Sequence, residues 1–112
     1  MKPVRILFIC SSLELGNDGV GDYTRKLACA LIGRGHSAAI IAINDRRLNG
    51  DIWQGKQNDE NTEVQVLRLS HSQPWGFRLN KAKEFIKALN VDWISLQYVP
   101  FGFHLKGLPF NL

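Results

Sequence analysis

Apolar residues run almost unbroken through VRILFIC at positions 4–10, and their β-branched members read as a strand covered on both faces. From Gly19 to Arg34 the spacing changes. Val20, Tyr23, Leu27, Ala30 and Leu31 recur at three- and four-residue steps, with Asp22, Arg25, Lys26 and Arg34 elsewhere on the wheel. That predicts an amphipathic helix with its cations in solvent, Asn17 or Asp18 as N-cap and Gly35 as its stop.

SAAIIAI at 37–43 reads as a second buried strand. Residues 44–62, rich in Asn, Asp, Gly and Gln, are too polar for a core and are expected to form an exposed loop. EVQVLRL at 63–69 alternates like a strand with one wetter face, which suits a sheet edge. Ser72 and Pro74 mark the start of a second helix, whose stripe is Leu79, Ala82, Phe85, Ile86 and Leu89. DWISLQYV makes a fourth strand, and residues 100–112 an apolar tail broken by Pro100, Gly102, Gly107 and Pro109. The chain shows no internal repeat.

This alternation predicts an α/β fold: an open, Rossmann-like parallel sheet in the order 3-2-1-4 with helices on both faces. Ligands of such sheets bind at the carboxyl ends of the strands where the order reverses. Here those ends are Cys10–Ser12 and Gln97–Pro100.

Composition narrows the class. A chain of 112 residues with 45% hydrophobic and 21% charged residues is one small domain or a piece of a larger protein. It lacks an apolar run of the roughly 20 residues that cross a bilayer, and VRILFIC is too short and too branched for a secretory signal. Cys10 and Cys29 lie in apolar patterns, as reduced, buried thiols of a cytoplasmic protein would. The formal charge of +4 is spread over two helix faces that lack interleaved aromatics, which argues against nucleic acid but admits peripheral contact with an anionic membrane surface.

The Gly19-Val20-Gly21 turn has two readings. It is a tight start to a helix, or it is an anion site where free N–H groups and the helix dipole meet a phosphate. It is not a dinucleotide fingerprint, because eight residues separate Cys10 from Gly19 and Thr24 stands where a third glycine belongs. Nor is it a P-loop, since Asp22 and Tyr23 follow Gly21. Gln97 and Tyr98 end the fourth strand, either to meet sugar hydroxyls or only to pack. His36 reads as closing the first helix, His71 as a loop residue, and His104 as a loop residue or an acceptor contact.

The segments RILFICSS, GVGDYTRKLACALIGRGH and DWISLQYVPFG together resemble the opening of retaining glycosyltransferases with the GT-B fold. The resemblance spans most of the chain apart from residues 44–62. It implies the acceptor-side portion of an enzyme that moves a sugar from a nucleotide-sugar donor to a sugar or lipid-linked acceptor. Such a portion, without its donor-binding half, would be inactive alone. By the resemblance, Gly19, Val20 and Gly21 line the cleft beside the donor diphosphate, with Gln97, Tyr98 and His104 on the acceptor side. No metal or other cofactor is implied, and an Asp-x-Asp triplet is absent from the sequence. No catalytic residue is identified.

The rival reading is a stand-alone α/β binding or assembly module. Either reading predicts a homo-oligomer, through the fourth strand or through the tail residues Phe101, Phe103, Leu108 and Phe110.

Overall fold

The computed structural model describes residues 2–16 and 19–97. The chain runs β1 (Arg5–Cys10), α1 (Gly19–Gly33), β2 (Ser37–Asp45), β3 (Ile52–Asp59), β4 (Thr62–Ser70), α2 (Trp75–Leu89) and β5 (Trp93–Gln97). The strands form one sheet in the order β3-β4-β2-β1-β5. β1 pairs in parallel with β2 and β5, and β2 in parallel with β4, while β3 pairs antiparallel with β4.

The α/β class holds, but the expected order and the all-parallel sheet need correction. The expected loop at 44–62 contains β3, so the sheet is mixed and β4 is interior instead of an edge strand. β3 and β4 form a hairpin closed by Glu60 and Asn61, with Glu60 at φ 56°. Without β3, the remaining strands follow β4-β2-β1-β5, and the reversal falls between β1 and β5.

Strand alternation builds two cores. Leu7, Ile9, Ile41, Ile43, Leu67 and Leu69 meet Ala82, Phe85 and Ile86 of α2. Phe8, Cys10, Ile40, Ala42, Val64 and Val66 meet Ala28 and Cys29 of α1 on the other face. Each large aliphatic side chain sealed this way contributes about 1.5–3 kcal/mol relative to exposure.

α2 buries the stripe its spacing predicts, with Leu79 and Leu89 partly covered. α1 does not. Its buried residues are Gly21, Thr24, Arg25, Ala28 and Cys29, whereas Val20 and Tyr23 are exposed. Small side chains at Gly21, Ala28 and Cys29 seat the helix on the sheet, and Arg25 accompanies them inward.

Both helix ends close as their residues suggest. His36 N–H bonds to Leu31 O at 3.0 Å and Gly35 N–H to Ile32 O at 3.0 Å, with Gly35 at φ +94°, a left-handed cap on α1. Asn90 caps α2 at φ 53°, its N–H bonded to Ile86 O at 3.1 Å. His36 Nδ1 also accepts the Val4 N–H at 3.2 Å, tying the end of α1 to the start of β1. The expected N-cap residues Asn17 and Asp18 and the tail 100–112 lie outside the described residues.

Candidate functional site

The segment from Ser11 to Gly16 leaves the carboxyl end of β1 and leads toward α1. Two guanidinium groups hold it. The first acts through Asp45, a fully buried residue at the end of β2. The β2–β4 register shifts between Ala42 and Asp45. In an unbroken strand Asp45 would share the side of Ile43, toward α2; the irregularity turns it toward the β1–α1 segment.

There Oδ2 of Asp45 accepts Leu13 N–H at 3.1 Å and Arg68 Nε at 2.8 Å. Oδ1 accepts the Ser12 hydroxyl at 3.2 Å, Arg47 N–H at 3.1 Å and Arg68 Nη2 at 3.3 Å. Arg68 Nη2 reaches Glu14 Oε2 at 2.7 Å as well. Burial opposes charge on Asp45, but the Arg68 guanidinium and the two N–H donors prevail and hold its carboxyl below the usual range.

The second guanidinium belongs to Arg25. Its Nε donates to Gln57 Oε1 at 2.8 Å, Nη1 to Asp22 Oδ1 at 2.8 Å and Nη2 to Leu13 O at 3.2 Å. Gln57 Nε2 donates to the same Leu13 carbonyl at 3.2 Å. The expected solvent position of Arg25 is therefore corrected: it is 5% exposed, and every donor group on its fork has an acceptor from α1, β3 or the β1–α1 segment. The hydrogen bond from Arg25, with help from Gly16 N–H, lowers the Asp22 carboxyl below its ordinary value.

The glycine turn stands at the start of α1 beside this clamp. Gly19 and Val20 are exposed and Gly21 is buried. A Cβ built on Gly19 would meet nothing within 4 Å, and Gly19 does not have a positive φ. Neither packing nor backbone conformation demands glycine there. Among the described residues, open space lies where a side chain at Gly19 would stand. Thr24, in the third-glycine position of a dinucleotide motif, is fully buried and donates to Val20 O at 2.7 Å.

Of the residues expected on the acceptor side, Gln97 is placed at the carboxyl end of β5 opposite Cys10, at the order reversal. Its Nε2 donates to Ser95 Oγ at 2.8 Å, so the amide is engaged along its own strand. Tyr98 and His104 lie outside the described residues. His71 donates its backbone N–H to Asp45 O at 3.1 Å and is exposed. A cavity of about 370 Å³ lies at the opposite end of the sheet, beside Arg5, His36, Ser37 and Glu63, and thus away from the reversal point.

The cysteines are buried thiols, Cys10 Sγ donating to Ser12 O at 3.7 Å and Cys29 Sγ to Thr62 O at 3.6 Å. Burial pushes the Cys29 thiol up. Among the described residues no cluster of His, Cys, Asp or Glu is arranged to hold a metal ion, and no helix is long and apolar enough to cross a membrane.

Sequence reasoning missed Glu14, Asp45 and Arg68. The one local signal was a cation inside the strand pattern VQVLRL and an acid closing the apolar run SAAIIAIND. Comparison of the chain with family models, curated proteins and solved structures finds no match.

Proposed function

We propose that this chain is the acceptor-side portion of a GT-B-type, nucleotide-sugar-dependent glycosyltransferase, inactive without a donor-binding half. The observation that carries the reading is Gly19, a glycine that neither contact nor φ requires, exposed at the first turn of α1. The main-chain amides of Gly19 and Val20, two exposed residues at a helix start, are suited to the charge that develops on a departing nucleoside diphosphate. Asp22 would oppose an anion there, but its carboxylate is paired with Arg25. Gln97, with Tyr98 and His104, belongs to the acceptor side in this reading, and the nucleotide sugar serves as substrate with no metal. Two buried thiols fit a cytoplasmic setting.

The test is an amide NMR titration with inorganic pyrophosphate. Signals of Gly19, Val20 and Gly21 should shift, and Gly19→Val, whose side chain enters open space, should abolish the shift without altering the fold. Shifts that survive the substitution would overturn the diphosphate site. Sugar transfer by the isolated chain would overturn its assignment as an incomplete half.

The assembly reading is favoured by one observation. β5 is an edge strand among the described residues, with Trp93 62% and Leu96 40% exposed. In that reading a second copy pairs along β5. A monodisperse monomer in sedimentation at high concentration would dismiss it.

A further inference from the structure

Trp53 has a setting that neither core explains. It sits on the edge strand β3, opposite Arg68 of β4 and on the α1 side of the sheet, and stays 37% exposed. Two residues along the same face is Gly55. A Cβ there would lie 3.0 Å from two carbons of the Trp53 six-membered ring and 3.6 Å from a third. The indole therefore lies flat across the strand, one face on the Gly55 backbone and the other turned away from it. Gly55 is not at positive φ, so it is the ring, and not the backbone, that requires glycine.

An indole held flat on a sheet edge offers a broad apolar surface with a negative π-face, which attracts polarised C–H groups. Arg68, its cross-strand neighbour, is bonded to Glu14, and both side chains keep some exposure, 11% and 35%. A flat aromatic beside a charged, hydrogen-bonding rim matches a ligand with one C–H face and a hydroxyl-rich edge. A pyranose ring has that chemistry.

We propose that Trp53 is a stacking platform for a saccharide. Trp53, the second residue of β3, lies at the carboxyl end of the parallel strands, the end that carries the β1–α1 segment. β3 lies three strand spacings from β1 and four from β5, roughly 14–19 Å at the usual spacing. No single sugar reaches from Trp53 to the reversal point. A glycan chain does. The inference deepens the transferase reading by naming the acceptor class as an oligosaccharide or polysaccharide, and rests on that reading only for what happens at the far end of the chain.

The experiment follows the indole N–H signal of Trp53 by NMR while linear oligosaccharides of glucose, mannose and N-acetylglucosamine are added, with nucleoside monophosphates as the competing aromatic-stacking ligands. One or more of the oligosaccharides should shift Trp53 and leave Trp75 and Trp93 in place. Trp53→Ala should weaken binding roughly tenfold or more, and Trp53→Phe should retain part of it. Gly55→Ala is the second variant: it lifts the ring from the strand and should weaken binding while the thermal melt shows a folded protein. Binding undiminished in Trp53→Ala, a Trp53 response to nucleotides alone, or no response to any oligosaccharide would overturn the proposal. Oligosaccharide binding at Trp53 in a protein whose Gly19–Gly21 amides ignore pyrophosphate keeps this inference and removes the diphosphate site; the opposite pattern does the reverse.

Discussion

Arg68 Nε donates to Asp45 Oδ2 at 2.8 Å across the β2–β4 boundary, and Asp45 is wholly buried. The pair joins two strands to the segment that precedes α1, because the same carboxylate also takes the Ser12 hydroxyl and the Leu13 N–H.

Removing one partner leaves the other as an uncompensated buried charge. Arg68→Met should therefore cost about 3–5 kcal/mol in urea unfolding. The double variant Arg68→Met with Asp45→Asn should recover part of that loss. A fully additive cycle would show that the two groups do not interact.

The carboxylates also set an acid limit. Asp45 and Asp22 both titrate below their ordinary range in the folded chain. Their folded-state values lie below the unfolded ones, so as pH falls the unfolded chain binds protons first. The stability they supply is complete above the unfolded value of about 4 and is lost as pH falls through the folded values. Melts between neutral pH and pH ~2 should show a steep drop below about pH 4, with a shallower slope in Asp45→Asn.

Arg25 organises the β1–α1 segment from the other side. Arg25→Met would strand Gln57 Oε1 and leave Asp22 without its cation, at a cost of about 1–3 kcal/mol per buried group left unsatisfied. Hydrogen exchange should accelerate at Leu13 and Gly16 more than in β2. Uniform acceleration would mean that Arg25 supports the whole fold and not the segment.

Gly35 offers a backbone test. It sits at φ +94° with open space where a side chain would go. Gly35→Ala should lower stability by about 1–2 kcal/mol through conformation alone. Asn90→Gly, at another left-handed cap, should leave the melting temperature unchanged or raise it.

Legibility in the sequence followed the range of the interactions. The α2 stripe was readable because Ala82, Phe85 and Ile86 bury on apolar character alone. The α1 face was misread because Arg25 is drawn inward by Leu13 O and Gln57, which stand 12 and 32 positions away. β3 escaped notice for two reasons: IWQGKQND is mostly polar, as an edge strand tolerates, and its turn is Glu60-Asn61 instead of the Asn-Gly that announces a hairpin. The glycine turn was visible from its residues alone. The clamp beside it was not.

By itself the sequence determined the α/β class, the stop at Gly35 and the buried thiols. All of these follow from local periodicity or from what a single residue type permits. Only the tertiary structure decided that an edge strand would close the polar stretch, that Arg25 would turn inward, that a register shift would aim Asp45 at Arg68, and that Trp53 would lie flat on Gly55. The first three depend on a partner distant in the chain or on a bend in the sheet; Trp53 and Gly55 are only two residues apart, and the sequence pattern does not say where an aromatic ring lies until its strand has paired.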